Sequence, residues 1–283
     1  MHIPSFISLR HHVTLALLMA GMLPLGAQTI FISEGFEPPS YVPGELHRQN
    51  EWNATSGVEL VNGAGTNASV GLRFTGPGNE LSASQDVDST SLTPIPRVYK
   101  LAFDVRLGSG NFPSTVVHGS LTATYDDPDG AFGQGLGGAG LISYDGAVRI
   151  GYQTAFNANG EPTLGGETIG WSYDTSAPPL LFDTFYNIQL TYDLDAQRYD
   201  VAVDGVKVLL NVPMLFEGNY TDVRYFSLVM DDLSSDTTPL AGIADVDNVS
   251  FSAVAIPEPA SAATLMGLTL LCFAALRRTA HRA

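Results

Sequence analysis

The sequence predicts an all-β sandwich over residues 29–251, and three observations carry that reading. Apolar residues alternate with polar ones at a period of two, Asp-Gly pairs sit between apolar runs, and no window shows the period of an amphipathic helix. Period-two alternation puts every second side chain on one face of a strand, so one face is buried and the other is wet. Asp-Gly supplies two residues that tolerate positive φ, which a type I′ hairpin turn requires at both central positions. Many short strands separated by turns close into a sandwich or a barrel.

The elements follow in chain order. Ser33-Glu34-Gly35-Phe36-Glu37 lies near the first strand. Leu101, Phe103, Val105 and Leu107 alternate with Lys100, Asp104 and Arg106. Residues 130–140 hold six glycines and read as a surface loop. Asp145-Gly146 joins 141–144 to 147–152 as a hairpin. Tyr186, Ile188, Leu190 and Tyr192 alternate, Leu194-Asp195-Ala196-Gln197 turns, and Tyr199, Val201 and Val203 return. Asp204-Gly205 then turns into 206–210. Asp245-Val246-Asp247-Asn248-Val249-Ser250-Phe251 reads as the last strand, and residues 252–256 as a hinge.

Charge narrows the function. The chain has 283 residues, with 29 acids and 13 bases. Arg10, Arg277, Arg278 and Arg282 lie outside residues 28–276, which leaves nine bases against all 29 acids there, a balance of −20. Such a surface repels phosphate and excludes nucleic acid as a partner. It suits divalent cations and a salty exterior, and it also serves solubility. The one cysteine, Cys272, lies in the C-terminal apolar run. The central domain therefore has neither a disulfide nor a thiol nucleophile.

The two ends carry export signals. Arg10, His11 and His12 precede an uncharged apolar run over 13–25, and Leu25-Gly26-Ala27 offers a small residue at a cleavage position. Residues 1–27 thus read as a secretory signal peptide, and residues 28–252 as an ectodomain. In the segment 253–283, Pro257-Glu258-Pro259 precedes seventeen uncharged residues, 260–276. As a helix that run spans about 26 Å, enough to cross a thin bilayer. Arg277 and Arg278 follow at once, with Arg282 beyond, and such charges hold their end in the cytoplasm. Pro-Glu-Pro, an apolar helix and an arginine cluster in this order resemble the PEP-CTERM sorting domain of Gram-negative bacteria. The resemblance covers about the last 28 residues. It implies Sec export, a transient inner-membrane anchor, processing by exosortase near Pro257, Glu258 and Pro259, and a place at the cell surface or in the exopolysaccharide matrix of a biofilm.

Two stretches resemble concanavalin-like jelly rolls and related carbohydrate-binding modules. One is the pair 185–193 and 199–205 ending in Asp-Gly; the other joins the last strand, 245–251, to the region of Glu37. The resemblance implies a jelly-roll sandwich and a structural calcium ion near the first and last strands, with Glu37, Asp245 and Asp247 as candidate ligands. Exposed strand-end acids are the alternative for those residues. Sugar rings stack on aromatic faces, so Trp52, Trp171 and Tyr173 are candidate ligand-binding residues, with core packing as the alternative. No catalytic residue is assigned. His47 and His118 have no nucleophile motif beside them, and Gly-x-Ser-x-Gly is absent. The domain also departs from the laminarinase-type glucanases of this fold, since it lacks their Glu-x-Asp-x-x-Glu strand. The expectation is a non-catalytic surface or matrix protein that binds polysaccharide. A secreted glycan hydrolase or lyase on the same scaffold is the alternative.

Overall fold

A computed structural model describes residues 28–254 apart from 76–79, 88, 93–94, 110–113, 128–129, 176 and 234–241. The expected signal peptide, the apolar run 260–276 and the expected sorting residues Pro257, Glu258, Pro259, Arg277 and Arg278 lie outside the described residues. Within them every regular element is a strand or a short 3-10 turn.

The first third of the domain holds β1 (Gln28–Glu34), β2 (Gly44–Glu45), β3 (Asn53–Ala54), β4 (Val58–Asn62), β5 (Val70–Phe74) and β6 (Glu80–Asp86). The long middle strands are β7 (Val98–Leu107), β8 (Ser114–Asp127), β9 (Gly130–Tyr144) and β10 (Ala147–Phe156), followed by β11 (Pro162–Thr163) and β12 (Thr168–Tyr173). The last are β13 (Tyr186–Asp193), β14 (Arg198–Val203), β15 (Val206–Pro213), β16 (Tyr220–Asp232) and β17 (Ala244–Val254). They form two sheets whose register pairs are antiparallel. Sheet A runs β15-β14-β13-β7-β17-β5-β4-β2, with β1 also on β17. Sheet B runs β11-β10-β9-β8-β16-β6-β3, with β12 also on β10.

The period-two pattern decides which side chains meet between the sheets. From sheet A come Leu101, Phe103, Val105, Ile188, Leu190, Val246 and Phe251; from sheet B come Val117, Leu121, Leu141, Phe226, Leu228 and Met230. All are fully buried. Each stabilises the fold by about 1.5–3 kcal/mol relative to exposure. Both Asp-Gly turns form as the sequence predicts: Asp145 and Gly146 have φ of 51° and 73°, and Asp204 and Gly205 have 49° and 77°.

Two expectations are corrected. Residues 130–140 are not a loop but most of strand β9. The glycines serve close approach of the neighbouring strand, because a Cβ on Gly140 would stand 1.9 Å from the Val117 carbonyl oxygen. Residues 252–254 of the expected hinge 252–256 belong instead to β17, which stays in register with β7 through Val254.

Candidate functional site

The sequence-predicted residues fall in three places. Trp52 is in the core. It is 1% exposed, donates from Nε1 to the Tyr41 hydroxyl at 3.0 Å, and packs edge-on to Phe226 at 5.5 Å. It offers no face to a ligand, so its expected binding role does not hold. The preceding stretch is too irregular for periodicity to place it.

Asp245 and Asp247 lie on β17 at the outer side of sheet A, 2% and 1% exposed. Asp245 is in register with Arg73 on β5 and Arg106 on β7. Its Oδ1 accepts from Arg73 Nε at 2.7 Å, and its Oδ2 accepts from Arg73 and from two nitrogens of Arg106 at 2.8–3.1 Å. Arg106 also lies 4.7 Å from the centre of the Phe185 ring. A cation at Asp245 would meet two guanidiniums, so Asp245 is not a calcium ligand here.

Asp247 is different. Its Oδ2 accepts from Thr66 N at 2.8 Å, Thr66 Oγ1 at 2.9 Å and Ser69 Oγ at 3.1 Å. Its Oδ1 is buried with no hydrogen-bond partner among the described residues. Glu37 Oε1 accepts from Val70 N at 3.1 Å. The two carboxylates thus hold adjacent residues, Ser69 and Val70, where the chain enters β5. A Cβ on Gly65 would stand 2.2 Å from Ser69 Oγ, 2.5 Å from Val70 O and 2.8 Å from Asp247 Oδ2, so glycine lets the chain close tightly around the carboxylate. Among the described residues no group of three His, Cys, Asp or Glu side chains surrounds a metal position. Calcium, however, draws on backbone carbonyls as readily as on carboxylates. The orphaned buried Asp247 Oδ1, with the Glu37 carboxylate bound to the next residue along the chain from Ser69, fits such an ion, which Glu37 and Asp247 would hold.

The third place is the outer face of sheet B, away from the core. Trp171 and Tyr173 alternate on β12, opposite Gln153 and Gly151 of β10. Trp171 meets His118 of β8 edge to face at 4.7 Å, and Tyr173 meets Tyr144 of β9 at 5.1 Å. Two intervening strands lie between β8 and β12, and the pair can touch because those strands carry glycine. A Cβ on Gly138 would stand 2.7 Å from His118 Nδ1, and one on Gly151 would stand 3.5 Å from Trp171 Cε3. Burial pushes the His118 pKa down to about 4, so the imidazole is neutral at ordinary pH.

Beyond His118 the same face turns hydroxylic and then acidic. Ser120 on β8 faces Ser227 on β16 with their Oγ atoms 3.4 Å apart, and Thr122 is in register with the part-exposed Tyr225. Ser82 and Ser84 of β6 are in register with Val229 and Ser227. Asp231 is opposite Glu80. Burial first, then the Glu80 charge, push the Asp231 pKa up to about 6. The alternation on β12 pointed to Trp171 and Tyr173. Sequence reasoning missed His118, Tyr144 and the Glu80–Asp231 pair, whose meaning comes from register across strands far apart in the chain.

No family model matches the chain, and no curated protein does. Solved structures do. The chain is similar to a conserved carbohydrate esterase from the Shiga toxin-encoding bacteriophage phi24B, with a TM-score of 0.51, 11% identity, and coverage of 81% of this chain and 100% of that one. It is also similar to the CBM2 module of the Lactobacillus casei BL23 phage J-1 evolved Dit, with a TM-score of 0.46, 10% identity, and coverage of 82% and 98%. A sialidase gives a TM-score of 0.43 at 13% identity over 73% of this chain, which spans 17% of the sialidase. At such identities these likenesses speak for the fold alone, and of the three the esterase carries it: a two-sheet antiparallel β-sandwich.

Proposed function

We propose that the protein is an exported surface or extracellular-matrix protein whose jelly-roll sandwich binds polysaccharide across the outer face of sheet B without cleaving it. The observation that carries this is the row of Tyr144, Tyr173 and Trp171 standing on glycine-bearing strands beside Ser120, Thr122, Ser227 and Tyr225. Aromatic faces take the C–H side of a sugar ring, and hydroxyls take its edge. The fold shared with a carbohydrate esterase adds to the reading. Calcium held by Glu37 and Asp247 would tie the chain at Ser69 and Val70 to the first and last strands. It would support the scaffold and take no part in the glycan face. The tail resembling PEP-CTERM would route the chain through the inner membrane to exosortase.

Affinity electrophoresis of the purified chain through gels containing soluble polysaccharides tests the binding. At least one glycan should retard the parent, and Trp171→Ala with Tyr173→Ala should abolish the retardation while the far-ultraviolet β spectrum is kept. No retardation by any glycan removes the proposal. The Glu80–Asp231 pair favours one other reading, hydrolysis, because a carboxyl of raised pKa opposite a carboxylate is the acid–base arrangement of glycosidases. Release of reducing ends that stops in Asp231→Asn would put that reading first.

A further inference from the structure

We infer that the outer face of sheet B takes an uncharged glycan and turns away acidic ones; this names the ligand class of the face proposed above and rests on that proposal. An acidic polysaccharide carries a carboxylate or sulfate on its repeat. Recognition of such a group calls for arginine or lysine, which meet its oxygens with charge-assisted hydrogen bonds.

Few such cations stand on this face. The chain has two lysines, Lys100 on β7 and Lys207 on β15, and both strands belong to sheet A. The strands of sheet B carry two arginines, Arg149 and Arg224. Arg149 Nη1 is turned to backbone, donating to the carbonyls of Asp174, Thr175 and Ala177 at 3.3, 3.5 and 2.9 Å. Arg224 is the extra residue of a bulge, between Val223 opposite Ala123 and Tyr225 opposite Thr122. Its side chain is exposed beside Tyr225, five residues along β16 from Val229, the register partner of the His118 that Trp171 meets.

The balance of charge on the face is negative. Glu80 and Asp86 of β6 and Asp222 and Asp231 of β16 share the face with Arg149 and Arg224, and Glu80 and Asp86 are exposed. Burial first, and then the Glu80 charge, raise the proton affinity of Asp231, and the second of these acts on an incoming carboxylate as well. The other hydrogen-bonding groups along these strands are neutral: Ser82, Ser84, Ser120, Thr122, Ser227 and Tyr225. Hydroxyls and aromatic rings of this kind suit a ring bearing hydroxyls alone.

The test uses polysaccharide pairs that share a backbone and differ in charge. These are hydroxyethyl- and carboxymethylcellulose, methyl-esterified and de-esterified homogalacturonan, and carboxyl-reduced and native glucuronoxylan. Affinity electrophoresis of the full chain at low salt should show binding to the neutral member of at least one pair. The charged member of that pair should bind about tenfold more weakly or not at all, as like-charge juxtaposition demands. Added salt should narrow the gap, and Glu80→Gln with Asp231→Asn should narrow it by strengthening the charged member. A charged member that binds as well as its neutral twin overturns the inference and leaves glycan binding standing. Binding to charged members alone does the same. Failure of every glycan on both sides removes the binding proposal and the inference with it.

Discussion

On the outer side of sheet A, Asp245 lies between Arg73 and Arg106 and is 2% exposed. On the outer side of sheet B, Asp231 faces Glu80 with no ion pair among the described residues. The first arrangement satisfies every charge and leaves nothing for a ligand. The second leaves carboxylates in register, with aromatic rings and hydroxyls further along the same strands. Asp245 is held by arginines of its own sheet, whereas Asp231 and Glu80 are left to one another, and that difference is what the proposed ligand face rests on.

The two tryptophans should show the largest contrast. Trp52→Ala empties a core position between the sheets and should lower unfolding stability by about 3–5 kcal/mol. Trp171→Ala removes a half-buried ring from the outer face and should cost under about 1 kcal/mol while removing glycan binding. Urea denaturation of both variants measures this. Equal destabilisation would make Trp171 a core residue and end the comparison.

That contrast also shows how far the sequence could be read. The strands around Phe103, Ile188 and Val201, and both Asp-Gly turns, were legible because period two and positive φ are local properties. Trp171 and Tyr173 were legible as one face of one strand for the same reason. Trp52 was not, because it follows a 3-10 turn with Arg48, Asn50 and Glu51 at positive φ, where alternation has no meaning. Nor could the sequence separate Asp245 from Asp247. They are two apart on one strand face, and their partners Arg73 and Thr66 are 172 and 181 residues away. Residues 130–140 misled for a related reason. Six glycines suggest a loop until β8 and His118 are seen packed against them.

Asp245 and Asp247 give the next contrast. Asp245→Asn leaves two guanidiniums facing a neutral amide and should lower stability by about 3 kcal/mol, in calcium and in chelator alike. Asp247→Asn with Glu37→Gln should instead abolish a calcium response of the parent. An ion bound to the native state alone stabilises by about 2.7 kcal/mol at a hundredfold excess over Kd. Each kcal/mol moves the melting temperature by ~2–4 °C in a domain of this size. Magnesium should do less, since it keeps its water and demands octahedral geometry. Thermal melting in calcium, magnesium and chelator reads all of this. A parent that melts identically in calcium and chelator would sink the ion site, and a response in which magnesium equals calcium would reduce it to screening.

The smallest effect is the one that separates two groups on sheet B by sign. His118 has its pKa pushed down from 6.5 to about 4 by burial. Its neutral form belongs to the folded state, so its stabilising contribution is present above pH 6.5 and is lost as pH falls towards 4. Asp231 has its pKa pushed up from 3.8 to about 6, by burial and then by Glu80. The folded state takes that proton first, so stability is gained as pH falls from 6 towards 3.8 and is lost again as pH rises. Over one window the two oppose each other and flatten the parent. His118→Gln should therefore gain stability relative to the parent on moving from about pH 7.5 to pH 4.5, and Asp231→Asn should lose it over the same interval. The His118 effect should be on the order of 1 kcal/mol or more, and the Asp231 effect smaller, because partial exposure screens it. Melting temperatures of the three proteins at both pH values decide the matter. If both variants shift in the same direction, the two groups do not sit in the environments described, and the neutral imidazole beneath Trp171 loses its physical basis.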